Sequence, residues 1–316
     1  MKINNVCVIG GSGFVGRHVV HLLAAQGCNV RVPTRNRERA KQLILLPTVD
    51  VVEANVHNEA ELAELARGVD AVINLAGVLH DARGERGFEQ AHVELPRKLI
   101  AACAANGVRR YVHMSALGAD ANGPSKYQRT KGAAEALVRA SSLDWTLFRP
   151  SVIFGRDDNF LNLFAKLLKL LPVIFLASPN ARFQPVYVED VARAFVHSLS
   201  DLAAYGKSYD LCGPKIYTLR ELVALVGDST GRRRPIIGLN DALSYLQAFA
   251  MELLPVKLMT RDNYYSMKVD NVSSQAFPFG IQPAAIEAVV PAYLGSDSPR
   301  ARYRSYRDRA RRRIER

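Results

Sequence analysis

Val6-Cys-Val-Ile9-Gly10-Gly-Ser-Gly13-Phe-Val-Gly16, close to the start of a 316-residue chain, is the stretch whose reading decides the fold. An apolar run leads into glycines at positions 10, 13 and 16, and a helical pattern, Val15–Ala25, follows at once. A strand, a tight glycine turn and a helix start in immediate succession form an anion-binding unit. The backbone must turn sharply and come close to phosphate oxygens, where a side chain would obstruct. The helix start adds unpaired N–H groups and a partial positive charge. Gly10, Gly13 and Gly16 are therefore read as the cradle of a dinucleotide pyrophosphate.

Working outward, strand-like runs recur at Asn5–Ile9, Asn29–Pro33, Val49–Glu53, Ala71–Leu75, Tyr111–Ser115 and Asp144–Phe148. Helical patterns fall between them at Val15–Ala25, Arg37–Leu45, Glu59–Ala66, Phe88–Ala105 and Tyr127–Ser141. The strands are continuous apolar runs, as expected where helices cover both faces of a parallel sheet. This alternation predicts an α/β chain with a Rossmann-type, doubly wound parallel sheet. After Arg149-Pro150 the regularity fades. Phe160–Leu176 is strongly apolar, Asp190–Ser200 and Leu219–Val226 read as helices, and Leu239–Leu254 is amphipathic. We expect a dinucleotide-binding core over 1–154, a smaller C-terminal substrate lobe over 155–295 with some strands returning to the core, and a basic tail over 296–316. Packing as core or lid is the reading of the two apolar segments, with membrane contact as the other.

Two further features set the chemistry. Sites specific for NAD usually end the second strand in an acid that holds the ribose hydroxyls. Here that region reads Thr34-Arg35-Asn36-Arg37, with arginines and no acid. A guanidinium accepts a phosphate in forked geometry, so NADP(H) is expected over NAD(H). Downstream stands Tyr127-x-x-x-Lys131, a phenol and an ammonium at i and i+4 on one helix face. A lysine beside a phenol favours the phenolate and lowers its pKa. Such a tyrosine exchanges a proton with a substrate oxygen while the cofactor exchanges hydride. Ser115, at the end of the preceding strand, is placed to hydrogen-bond the same oxygen. Tyr127, Lys131 and Ser115 are the catalytic candidates.

Composition bounds the rest. The chain is 48% hydrophobic, enough for a large core, and has no run of roughly 18 apolar residues that would span a bilayer. The apolar run from Val6 leaves no room for a signal or transit peptide, so a cytoplasmic protein is expected, peripheral at most to the inner membrane. Cys7, Cys28, Cys103 and Cys212 are far apart and form no C-x-x-C, which reads as reduced thiols and not a metal site. Of the net charge of +12, Arg300–Arg316 carries +7: nine arginines against Asp308 and Glu315. That tail reads as a solvated basic end, or as a salt-sensitive contact to anionic lipid or an acidic partner. No specific nucleic acid is expected.

These features together resemble the extended short-chain dehydrogenase/reductase superfamily. The resemblance rests on Gly10–Gly16, Asn74-Leu-Ala-Gly77, Ser115, Tyr127-x-x-x-Lys131, Arg149-Pro-Ser-Val-Ile-Phe-Gly155 and Gln184-Pro-Val-Tyr-Val-Glu-Asp-Val-Ala192. Within it the chain is most similar to the atypical group containing the NAD(P)H-binding accessory subunit of respiratory complex I and its bacterial relatives. Ser115-Ala-Leu-Gly-Ala-Asp120, Tyr127-Gln-Arg-Thr-Lys-Gly132, Phe183-Gln-Pro-Val-Tyr187 and Pro291-Ala-Tyr-Leu-Gly295 carry that likeness. The resemblance implies that Ser12, Phe14 and Val15 complete the pyrophosphate cradle. Asn55 and Val56 would lie by the adenine, and Leu75, Ala76 and Gly77 along the cofactor. Pro150 and Val152 would neighbour the nicotinamide, with Lys131 on its ribose and Arg182 and Gln184 in the substrate region. Where extended members usually carry an asparagine, this chain reads Gln90-Ala-His92-Val93, and His92 is taken as a packed, hydrogen-bonded residue. The Ser115–Tyr127 interval is shorter than in sugar-nucleotide epimerases, which counts against a sugar-nucleotide substrate. Two functions follow: an NADP(H)-dependent oxidoreductase acting on a hydrophobic small molecule such as a quinone or isoprenoid-like carbonyl, or a non-catalytic NADPH-binding protein attached to a respiratory or membrane partner.

Overall fold

The computed structural model describes residues 3–81, 87–254 and 258–295. Six strands follow the sequence pattern: β1 (Asn5–Ile9), β2 (Asn29–Thr34), β3 (Val49–Glu53), β4 (Ala71–Asn74), β5 (Arg110–Met114) and β6 (Asp144–Pro150). Strand Lys207–Leu211 joins β6, and the sheet runs in the order Lys207–Leu211, β6, β5, β4, β1, β2, β3. All of its pairings are parallel. The sequence reading placed no strand after β6, expecting only that some strands of 155–295 return to the core. Lys207-Ser-Tyr-Asp-Leu211 is only partly buried at the sheet edge and shows no apolar run to betray it.

Between the strands lie α1 (Phe14–Ala25), α2 (Lys41–Ile44), α3 (Glu59–Ala66), α4 (Leu95–Ala105) and α5 (Lys126–Ala140). The expected helix over Arg37–Leu45 is a 3-10 turn, Arg37–Ala40, followed by the short α2. On one face of the sheet, Val15, Val19, Val20 and Leu23 of α1 pack with Val191, Phe195 and Leu199 of helix Val188–Ser200. On the other, Leu62 and Leu65 of α3, Leu95 and Leu99 of α4 and Val138 of α5 share a core with Cys7, Ile9, Val72 and Tyr111. Both faces are thus covered, which explains the unbroken apolar strands.

A third core serves the C-terminal part. Leu161 and Leu168 of helix Phe160–Leu170 pack with Leu222 and Val226 of helix Leu219–Thr230, and with Ile286 and Val290 of helix Ile286–Leu294. The apolar segment expected over Phe160–Leu176 divides near Pro172, which cannot continue a helix. Its end, Ile174–Leu176, becomes a strand paired in parallel with Ile236–Gly238.

The start of α5 is built with care. Ser125 and Gln128 form a capping box. Asp262, from helix Arg261–Ser266, adds a second cap: its carboxylate accepts from the N–H of Lys126 at 2.6 Å and of Tyr127 at 3.2 Å. An acid at a helix start also answers the macrodipole.

Candidate active site

Because the strands are parallel, their C-terminal ends share one edge, and the chain reverses direction across it between β1 and β4. Such a reversal is where open α/β sheets bind ligands. Gly10–Gly16 leaves β1 there and Leu75–Gly77 leaves β4. Thr34 ends β2 with Arg35 and Arg37 just beyond it, Asn55 and Val56 follow β3, Ser115 follows β5, and Pro150 ends β6 with Val152 just beyond it.

The glycine turn and the β4 loop meet closely. A Cβ on Gly10, whose φ is +79°, would lie 3.1 Å from the backbone nitrogen of Ala76. A Cβ on Gly16 would lie 2.2 Å from the carbonyl oxygen of Gly10 and 2.6 Å from Cα of Gly11. Only glycine fits at either place. Gly13 starts α1 with no side-chain cap, and no acid occupies the first turn. The helix end therefore keeps its N–H groups and partial charge for a ligand. This tight cradle at an uncapped helix fits a pyrophosphate.

At the end of β2 the Thr34 hydroxyl donates to the carbonyl of Asn36, and Asn36 caps the following turn. Arg35 and Arg37 are exposed beside it. The N–H of Asn55 donates to Glu61 at 2.7 Å, and Asn55 Oδ1 accepts from the N–H of His57, fixing the loop that carries Val56. Asn74 shapes the loop after β4: its Oδ1 accepts from the N–H of Ala76 at 3.1 Å, and its amide donates to the Tyr111 hydroxyl. The adjoining His113 is buried, and burial first, then Lys131, pushes its pKa down to about 3.

Lys131 is buried, and its Nζ donates to the carbonyl of Met114 at the end of β5. The same Nζ would stand 3.4 Å from a Cβ on Gly77, so it reaches the ends of both β4 and β5. Burial lowers its pKa to about 8, with Glu135 working the other way. Tyr127, one turn earlier, meets Phe88 and His92 edge-on, with ring centroids at 5.7 and 5.4 Å. The expected depression of the phenol is reversed: burial, and then Asp262, push it up to about 12. Desolvation of the phenolate sets the sign here. The Ser115 hydroxyl is shielded from solvent and lies by the Glu135 carboxylate, without a hydrogen bond of ordinary geometry.

His92 sits in a π-helical turn, Gln90–Glu94, just before α4. Its Nε2 accepts from the N–H of Val78 at 3.1 Å, and its Nδ1 lies 3.0 Å from the Thr130 hydroxyl. That hydroxyl donates to backbone carbonyls of α5, so Nδ1 carries the proton and the ring is neutral. Burial, then Lys131, take its pKa to about 2. His92 thus ties the β4 loop to the helix that bears Tyr127 and Lys131, and acid–base work does not suit it.

Gln184 is held by its own bonds: its amide donates to the carbonyl of Gly213, and its Oε1 accepts from the N–H of Ser273. Arg182 pairs with Asp270 at a half-exposed position. Among the described residues there is no cluster that would hold a metal, and the cysteines are free thiols. Asp262 was not visible as a site residue, being 135 positions from Tyr127 in the chain.

Residues 10–163 match the NAD(P)H-binding family. The chain is 28% identical over 304 residues to the 40 kDa subunit of mitochondrial NADH-ubiquinone oxidoreductase from Neurospora crassa, covering 94% of this chain and 80% of that one. It is 35% identical over 230 residues to the alpha subcomplex subunit 9 of Arabidopsis thaliana NADH dehydrogenase, covering 70% of this chain and 56% of that one. The chain is a homologue of these complex I subunits. In structure it is similar to an NADPH-dependent quinone oxidoreductase of Escherichia coli complexed with NADPH, with a TM-score of 0.72 and 21% identity, covering 90% of this chain and 98% of that one. That likeness bears on the fold alone, a Rossmann-like α/β architecture around a seven-stranded sheet. This homologue of complex I subunits has, among its described residues, no helix long and apolar enough to cross a membrane.

Proposed function

We propose that the chain is an NADP(H)-dependent oxidoreductase of the extended short-chain dehydrogenase type, acting on the carbonyl or alcohol of a hydrophobic, quinone-like or isoprenoid-like molecule. The observation that carries this reading is the position of Lys131 Nζ over the ends of β4 and β5, beside Gly77. Tyr127 stands one turn away on the same helix. When bound, the cofactor supplies or accepts the hydride. Gly10, Ser12, Gly13, Phe14, Val15 and Gly16 hold its pyrophosphate, while Asn55, Val56, Leu75, Ala76 and Gly77 line it. Pro150 and Val152 flank its reactive end. A phenol whose pKa lies near 12 is protonated at neutral pH, so Tyr127 is set up as an acid that gives its proton to a carbonyl oxygen. Lys131 would orient the ribose and, as a cation, stabilise the phenolate that Tyr127 leaves on giving up its proton. Ser115 joins them by turning its hydroxyl from Glu135 toward the substrate oxygen.

Tyr127→Phe removes the proton donor and little else. NADPH-dependent reduction is expected to fall by about 100-fold or more, within the range that acid–base groups contribute. Calorimetric affinity for NADPH should change less than about twofold. A variant that reduces its substrate as fast as the parent would remove Tyr127 from the mechanism.

Thr34, Arg35 and Arg37 are proposed to take the 2′-phosphate. Arg35→Asp should weaken NADPH by about tenfold or more, the cost of replacing a charge-assisted pair with a repulsion, and improve NADH relative to it. Parallel titrations with both cofactors check this, and an unchanged ratio would sink the assignment.

A second reading is favoured by the complex I homologues and by the raised phenol pKa. In it the chain holds NADPH structurally and docks on a respiratory partner, with Arg300–Arg316, which lie outside the described residues, as the contact. Tyr127→Phe would then alter neither binding nor any turnover.

A further inference from the structure

The two apolar segments of the C-terminal part are not wholly consumed by packing. In Phe160–Leu176, Leu161, Leu168, Ile174 and Leu176 are buried, yet Leu170, Leu171 and Phe175 are exposed, Leu170 by 75%. Phe175 is in register with Ile237 on the neighbouring strand, and both side chains are exposed, so they share one outer face. Helix Asp241–Glu252 continues it. Its Gln247 donates to the carbonyl of Phe175, and its Ser244 accepts from the N–H of Ser178, which sets the helix alongside that strand. Ser244 and Ala248 are buried, leaving Leu243 and Leu246 exposed on the flank next to Phe175. Large apolar side chains grouped this way mark a contact surface.

Charge identifies the occupant. Phe160–Leu176 contains Lys166 and Lys169 and no acid, and Arg232-Arg-Arg-Pro-Ile-Ile-Gly-Leu239 contains three arginines and no acid. Arg234 donates to the carbonyl of Leu168, which places this basic run beside the end of helix Phe160–Leu170. Lys166, Lys169, Arg232 and Arg234 have no salt-bridge partner among the described residues; Arg233 pairs with Asp228. An apolar face rimmed by unpaired lysines and arginines suits the headgroup boundary of a membrane, where long cationic side chains reach phosphates while their stems stay apolar. Lysine is depleted at protein–protein interfaces.

We infer that the face formed by Leu170, Leu171, Phe175, Ile237, Leu243 and Leu246 docks on an anionic lipid bilayer, separately from the Arg-rich tail. The docking helix leads directly to the candidate site. Tyr245 stacks edge-on with Tyr264 and Tyr265 of helix Arg261–Ser266, whose Asp262 caps α5 next to Tyr127. A cleft of about 290 Å³ lined by Lys126, Arg129, Tyr245, Arg261 and Tyr265 opens between them.

Co-sedimentation of the full chain with phosphatidylcholine vesicles, with and without phosphatidylglycerol, tests this. The parent should bind the anionic vesicles about tenfold or more tightly than the neutral ones. Phe175→Glu with Leu246→Glu should lower that binding by about tenfold or more with the fold intact by circular dichroism. Leu45→Glu, at an exposed leucine on another part of the molecule, should change nothing. Changing Arg311, Arg312 and Arg313 to Ser should leave most of the binding. Retention by the Phe175/Leu246 variant, or loss through the tail substitutions alone, would overturn the inference. So would a parent that ignores vesicles and sediments as a dimer dissociated by the same two substitutions, since the face would then serve a second copy. Tyr127→Phe should bind vesicles like the parent, which separates this outcome from that of the proposed chemistry.

Discussion

Gly16→Ala is expected to abolish measurable NADPH binding and to destabilise the fold. The added methyl would stand 2.2 Å from the Gly10 carbonyl oxygen and 2.7 Å from the Gly11 carbonyl carbon. All of these are backbone atoms of the cradle itself, so no side chain can swing away to make room. Overpacking of this kind costs roughly 1–3 kcal/mol of stability. Shifting the turn also moves the N–H groups that meet the pyrophosphate, and a loss of about 100-fold in affinity corresponds to about 2.8 kcal/mol. Gly13→Ala makes the contrast. Its φ is −76°, and the methyl would meet only the Gly10 carbonyl oxygen at 3.1 Å. This variant should fold nearly as well as the parent and still bind NADPH poorly, because the methyl projects where the phosphate comes close. Titration calorimetry and urea unfolding on both variants separate the two effects. Full affinity in Gly13→Ala would mean that the turn does not face the cofactor.

Arg149→Leu is expected to cost about 3 kcal/mol near neutral pH, because it strands a buried carboxylate. The Arg149 guanidinium donates from Nε to Glu135 at 2.7 Å and from a terminal nitrogen to the second oxygen. Glu135 is only 5% exposed, and its other cation, Arg139, sits at a longer 3.3 Å. Burial opposes ionisation of Glu135, yet the Arg149 hydrogen bonds prevail and hold its pKa below the ordinary glutamate value. A depressed carboxylate stabilises the fold above its unfolded pKa of about 4.3, and that contribution is lost as pH falls through the folded value. In the leucine variant Glu135 ionises with difficulty and is relieved by protonation. The stability gap between parent and variant should therefore be widest near pH 7 and close as pH falls below about 4. Urea midpoints across that range provide the measurement. A gap independent of pH would assign the loss to packing of the arginine stem instead.

The N-terminal half was legible because its signals are local. Val6–Ile9 is a continuous apolar run, Gly10 and Gly16 stand where no Cβ fits, and the central strands β1 and β4 are buried along nearly all their length. The spacing of Tyr127 and Lys131 likewise stated that they share a helix face. What escaped depends on residues far apart in sequence. Strand Lys207–Leu211 is an edge strand whose polar Lys207, Ser208 and Asp210 leave no apolar run. Asp262 reaches α5 from a separate helix, and its carboxylate is part of why the Tyr127 phenol rises instead of falling. A sequence shows that a lysine lies one turn from a tyrosine, but not that the lysine is buried and the phenol shielded from solvent. Desolvation then decides the sign. The Asn74–Tyr111–His113 group was hidden for a similar reason: its members look like strand residues and meet only across paired β4 and β5. The apolar segments of the lobe were read as packing or as contact surface. Each proves to be divided: in the first Leu168 and Ile174 are inward and Leu170 and Phe175 outward, and in the second Ala248 is inward and Leu243 and Leu246 outward.

The central claim is that this chain uses a bound nicotinamide to reduce a carbonyl with Tyr127 as the acid. The most direct measurement supplies NADPH deuterated at the transferable position to the full chain with a lipid and quinone extract, and follows the label by mass spectrometry beside Tyr127→Phe. The account predicts a deuterated alcohol or hydroquinone product that forms with the parent and disappears in the variant. Tight NADPH binding in both, with no label leaving the cofactor in either, would contradict it.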